Sequence, residues 1–229
     1  MNIEKPHDRA GNAGFHPVVR IDDRYRVLDL SRGYDPNAIS LDPPSIGRYN
    51  EKRRDMYRSV LFGGVRDIHM GLDFWVPEGT PVYAFADGEV LMFRDNANDG
   101  DYGPTIITRH EGPVVRHLLK QIRDRAKGNR YGQQETAENT SEGALFALYG
   151  HLSRGSLSGL FPGMPFGKGQ QIALVGGEHE NGGWAPHLHF QLSLEPPSEP
   201  DMPGVVSERD LPEALGRYPD PALVTGRYY

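Results

Sequence analysis

"HMGLDFWVPEGTPVYAFADGEVLMF", residues 69–93, breaks into short apolar runs separated by turn signals. HMGLDFWV runs into a PEG turn, TPVYAFA into a DG turn, and EVLMF follows. Short runs rich in β-branched and aromatic residues, bounded by Gly, Pro and Asp, read as successive strands and hairpins. The rhythm resumes after the loop RDNANDGDYG (94–103) in PTIITRH (104–110). It returns in ALFALYGHL (144–152), QQIALVGG (170–177) and HLHFQLSL (187–194). With 28 Gly and 19 Pro in 229 residues, turns are frequent and long helices few. The chain therefore reads as mainly β.

One stretch breaks the pattern. In PVVRHLLKQIRDRAKGNR (113–130), Val115, Leu118, Leu119, Ile122 and Ala126 recur at helical spacing, with Pro113 suited to a first turn and Gly128 to a stop. The loop YGQQETAENTSEG follows, so 113–142 reads as a helix-plus-loop insertion. Residues 1–60 read as an N-terminal extension packing on the core. They contain a strand-like YRVLDL (25–30) and a charged segment, RYNEKRRDMYRSV (48–60), for which a helix is one option. Residues 61–195 read as one β-rich domain and 196–229 as a Pro-rich C-terminal tail.

The totals exclude several classes. A net charge of -6 argues against a general nucleic-acid or anionic-membrane binder. Zero cysteines rule out disulfides and thiolate metal sites. No apolar run reaches membrane-spanning length. The N-terminus MNIEKPHDRAGNAGFHP lacks the apolar region of a secretory signal. The expected location is cytoplasmic, the alternative being a trimmed leader and a periplasmic or extracellular site.

Three stretches carry candidate chemistry. GGWAPHLHFQL (182–192) sets His187 and His189 two apart, so on a strand both imidazoles share a face and Leu188 and Phe190 take the other. In DIHMGLDF (67–74), His69 and Asp73 also share a face if the strand is continuous, with Gly71 between them leaving space. Two imidazoles and a carboxylate suit Zn²⁺ with a fourth position left for water. In LYGHLS (148–153), His151 ends an apolar strand. Taken singly, each also reads as an ordinary polar residue at a strand or turn. His110, His117 and His179 read as surface residues, Trp184 as a groove or packing residue, and the basic run from Arg116 to Arg130 as a solvated helix face.

Together the three stretches resemble the lysostaphin-like, or LytM-type, zinc metalloendopeptidases, whose H-x-x-x-D, strand-end His and H-x-H motifs occur here in order. The flanking GLDFWVPEGTPVYAFADGEV, GMPFGKGQQIALVG and PHLHFQL match as well, so the resemblance covers about residues 61–195. ENGGWAPHLHFQL and DYGPTIITRH look most like the peptidase-like segment of multi-module cytoplasmic proteins, where it lies between a phosphotransferase-like and an aminotransferase-like module.

The resemblance implies a compact antiparallel, barrel-like β core with an inserted helix and a groove ending at a metal. It implies His69, Asp73 and His189 as Zn²⁺ ligands, and His151 and His187 as catalytic histidines. One of these would take a proton from the attacking water, and the other would stabilise the oxyanion or protonate the leaving amine. The implied substrate is a peptide or peptidoglycan fragment. A non-catalytic binding or regulatory module on the same fold is the alternative, though all five positions are intact. A biotinyl- or lipoyl-type carrier reading of GMPFGKGQQIALVG lacks an exposed hairpin tip around Lys168. The insertion is expected to begin and end near the groove and to narrow it.

Overall fold

The structure, a computed structural model, describes residues 14–57, 59, 62–128 and 143–229. The loop read from residue 131 lies outside the described residues up to 142. Three short strands come first: β1 (Arg26–Val27), β2 (Ser45–Gly47) and β3 (Glu51–Lys52). β4 (Ile68–His69), β5 (Leu72–Trp75), β6 (Pro81–Tyr83), β7 (Gly88–Asn96) and β8 (Gly103–His110) follow, then helix α1 (Pro113–Gly128) and β9 (Leu145–Gly150). After β10 (Pro165–Phe166), β11 (Gln171–Leu174), β12 (His187–Ser193) and β13 (Val205–Val206), two short helices close the chain: α2 (Leu211–Arg217) and α3 (Ala222–Thr225). Among the described residues no helix is long and apolar enough to cross a membrane.

The fold is mainly β. One sheet runs β1-β2-β5-β12-β9-β8-β7-β10, antiparallel throughout except for β1 beside β2. β6 and β11 form a ribbon, and β4 sits between β13 and β3 in a third sheet. Alternation along β12 explains the layering. Leu188, Phe190 and Leu192 enter the main core, where Val82 of β6 and Ala173 of β11 meet them. On β9, Leu145, Ala147 and Tyr149 join that core, whereas Phe146 and Leu148 join a second cluster with Met70, Met202 and Val206. The large sheet is thus covered on both faces.

Strand pairs cross both segment boundaries read from the sequence. β2 pairs β5, setting Gly47 opposite Asp73, and β3 pairs β4, setting Glu51 opposite His69. From the other end of the chain, β13 sets Val205 opposite His69. The charged segment at 48–60 forms a strand and turns, not a helix, among its described residues. Its left-handed residues Asn50 (φ 53°) and Asp55 (φ 58°) break any helical run.

Helix α1 docks Val115, Leu118 and Leu119 on the main core with Ile122 alongside, and leaves Arg116, His117, Lys120, Arg123 and Arg125 exposed. Its position corrects the sequence expectation. β8 begins beside Tyr102, which lines the candidate site, and runs eight residues, roughly 23 Å, before α1 starts. The chain returns at Leu145, the register partner of His110. The insertion therefore leaves and rejoins the sheet at the end away from the site, and among the described residues none of α1 lines it.

Candidate metal centre

The sheet ladder supplies two of the donors. β12 pairs β5 with His189 opposite Asp73, so their side chains leave the same face side by side. His69 does not share a strand with Asp73, as the sequence reading assumed. The ladder breaks between β4 and β5 at Met70 and Gly71, and His69 reaches the site from the three-stranded sheet. The bare Gly71 is required, because a Cβ there would stand 2.5 Å from His189 Cε1 and 2.6 Å from its Nε2.

Three atoms converge. His189 Nδ1 lies 3.0 Å from Asp73 Oδ1, His69 Nε2 lies 3.2 Å from the same oxygen, and the two nitrogens are 3.1 Å apart. Donors at about 2.0–2.1 Å from a tetrahedral centre stand about 3.3–3.4 Å from one another, close to this triangle. The opposite side of each group is engaged. His69 Nδ1 donates to the Arg48 carbonyl at 2.8 Å, which leaves the Nε2 lone pair free. Gln191 donates its amide to Pro203 O at 3.4 Å and turns Oε1 to His189 Nε2 at 3.1 Å, so that nitrogen carries the hydrogen and Nδ1 carries the lone pair. Asp73 Oδ2 accepts from Arg53 Nη1 at 2.6 Å. In this assignment three lone pairs face one another with no hydrogen between them, the donor chemistry a divalent cation satisfies. All three residues are buried.

His151 and His187 complete the group, their rings 4.1 Å apart by centroid. His187 stacks on Trp75 at 5.3 Å and donates Nδ1–H to Ala185 O at 2.7 Å. His151 directly follows β9 with a left-handed backbone, φ 60°, and donates Nδ1–H to Asn181 O at 2.9 Å. Both therefore keep an unprotonated Nε2. All five residues singled out in the sequence meet here, in a cleft also lined by Tyr57, Phe62, Tyr102 and Trp184. Trp184 both lines the cleft and packs edge-on against Tyr34 and Tyr57.

Burial sets the charge states. It pushes the His69 imidazole down to about 4, with the Arg53 guanidinium adding to the effect. Burial, reinforced by the neighbouring His187, holds His151 well below the ordinary range, and burial lowers His187 as well. For Asp73, burial pulls upward but is outweighed by His69 and by the fixed charge of Arg53, so its carboxyl lies well below the usual range. At neutral pH the Asp73 carboxylate stands among the neutral imidazoles of His69, His151 and His187.

The sequence reading missed four contributors: Arg53, Gln191, Tyr102 and the Arg48 carbonyl. Gln191 continues the alternation of His187 and His189 and could have been found by it. Arg53 lies in a charged run with no periodicity to mark it. Of the remaining histidines, His117 is exposed and the His179 side chain is 68% exposed, as expected. His110 is not a surface residue: it is fully buried, its ring 4.0 Å from Phe85. Lys168 lies in a turn joining strands of different sheets and donates its ammonium to Gly14 O at 3.2 Å.

Residues 67–134 match the model of Peptidase family M23. The chain is 31% identical over 124 residues to the peptidoglycan DD-endopeptidase ShyA of Vibrio cholerae, covering 54% of this chain and 20% of that one. It is 26% identical over 196 residues to an uncharacterized metalloprotease of Haemophilus influenzae, covering 84% of this chain and 32% of the relative. It thus spans a third or less of these relatives' lengths. Among solved structures, the catalytic domain of lysostaphin from Staphylococcus simulans is 20% identical with a TM-score of 0.43, covering 76% of this chain and 94% of that domain.

Proposed function

For a chain that belongs to the lysostaphin/M23 peptidases, we propose zinc-dependent hydrolysis of a peptide (amide) bond as its activity. The observation that carries this reading is the triangle of His69 Nε2, Asp73 Oδ1 and His189 Nδ1, each group fixed from behind by a hydrogen bond. These three would hold the ion. Zinc there would supply Lewis acidity, activating water at neutral pH and polarising the scissile carbonyl.

The remaining steps belong to His151 and His187. Each presents a bare Nε2, and burial keeps each ring neutral at neutral pH. One accepts the proton of the attacking water at its bare Nε2 and, once protonated, returns it to the leaving amine; the other stabilises the oxyanion only after its own Nε2 has taken up a proton. The Asn181 and Ala185 carbonyls keep each Nδ1 protonated and prevent the wrong tautomer. The substrate is a peptide or a peptidoglycan fragment, by likeness to a relative that is a peptidoglycan endopeptidase.

The test is metal content and turnover together. Purified protein is expected to hold about one zinc per chain, since two imidazoles and a carboxylate leave one position open. It is expected to cleave cross-linked muropeptides or simple peptides, to lose activity to a chelator and to regain it with zinc. No zinc after reconstitution, or zinc without hydrolysis of either substrate class, would overturn the reading.

A further inference from the structure

Arg53 is the largest buried cation in the described chain and lies outside every motif that marked the site. Its guanidinium is fully buried among four partners. Nε donates to Glu51 Oε2 at 3.1 Å, Nη1 to Asp73 Oδ2 at 2.6 Å and to the Tyr57 hydroxyl at 3.1 Å, and Nη2 to the Arg48 carbonyl at 3.3 Å. That carbonyl is the one His69 Nδ1 uses. A single planar fork therefore holds one donor group directly and shares an acceptor with a second. The slot is built for it: a Cβ on Gly47 would stand 2.6 Å from Nη2, and Gly47 is the cross-strand partner of Asp73. Glu51 in turn accepts from the Leu30 amide at 3.1 Å, which ties the fork to an earlier part of the same N-terminal extension.

We propose that Arg53 is a positioning residue that restricts Asp73 to one coordinating oxygen, and that through it the N-terminal extension sets the geometry of the metal centre. The proposal rests on the zinc reading above. With Oδ2 engaged by Nη1, only Oδ1 faces His69 and His189. Released, the carboxylate could turn both oxygens to the ion and fill the position a catalytic site keeps open. A lysine could supply the charge but not the fork, because an ammonium is a point donor that cannot span Asp73, Glu51 and the Arg48 carbonyl in one plane.

The test uses the full chain loaded with zinc or with cobalt(II), whose visible absorption distinguishes four- from five-coordinate sites. Arg53→Met is expected to weaken zinc binding about 10–100-fold by chelator competition, the usual loss when an orienting partner is removed, and to shift the cobalt spectrum toward higher coordination. Arg53→Lys should keep the fold and show the same spectral shift. Glu51→Gln should weaken zinc in the same direction by less. If Arg53→Met does not fold, the lysine and Glu51 variants decide. Wild-type zinc affinity and an unchanged cobalt spectrum in folded Arg53→Lys and Glu51→Gln would overturn the positioning role and leave the zinc reading standing. Failure of the wild-type chain to bind zinc would overturn both.

Discussion

Asp73 and His189 are direct partners across β5 and β12, and their side chains touch, Oδ1 to Nδ1, at 3.0 Å. Sheet register thus sets two of the three converging donors, and only His69 depends on a separate element. Because Asp73 also balances the fully buried Arg53, its removal has two effects. Asp73→Ala is expected to abolish tight zinc binding and, in chelator, to cost about 3 kcal/mol of stability by leaving a buried cation short of a partner. His69→Ala should also lose zinc but cost less, since its imidazole is neutral. Denaturant unfolding of both variants in chelator decides; an equal or smaller cost for Asp73→Ala would show that it does not balance Arg53.

His151 combines the proton-transfer role proposed for it with an unusual backbone. At φ 60° a β-carbon is strained, and asparagine tolerates that region better than alanine. His151→Asn is therefore the cleaner variant. It should keep zinc and fold normally while losing about 10²–10⁴-fold in kcat/KM. Loss of zinc in this variant would make His151 a ligand instead.

His110 gives the fold an acid-sensitive element remote from the site. Burial holds its imidazole near 4, whereas the unfolded chain takes up the proton near 6.5. Between those values the unfolded state binds more protons, so the stability contributed is full above about pH 6.5 and is lost as pH falls toward 4. From pH 7 to pH 5 the loss is about 2 kcal/mol. His110→Gln should remove that slope; the check is urea unfolding at both pH values. Parallel pH dependence in variant and wild type would rule it out.

The insertion is expected to act as scaffold. His110 and Leu145 are register partners, so a short Gly-containing turn can replace residues 113–142. The replacement uncovers core that Val115, Leu118 and Leu119 bury, and the unfolding midpoint should drop. Activity on large peptidoglycan fragments and on small peptides should change in parallel. A selective gain on the large substrate would restore the gating role that the position of α1 argues against.

What could be read from the sequence followed the reach of each signal. The alternation His187-Leu188-His189-Phe190 forecast which side chains enter the core, because β12 is one regular strand. Pro113 and Gly128 marked both ends of α1. Pairings between distant segments left no trace. β3, two residues long, has no periodicity, so its neighbour Arg53 passed for part of a charged run. The Pro-rich stretch before Val205 gave no sign that it leads into a strand beside His69. His110 passed for a surface residue because its partner ring, Phe85, sits on a different stretch of chain.

His69 lies in a strand flanked by Glu51 on one side and Val205 on the other. A nascent chain emerging from the ribosome presents the first neighbour before His69 and the second only after residue 205 has been made. The donor triangle proposed to hold zinc is therefore a late product of synthesis, and a polypeptide released before residue 205 leaves His69 on an open edge. Pulse-labelled chains of increasing length should acquire zinc only once β13 is present.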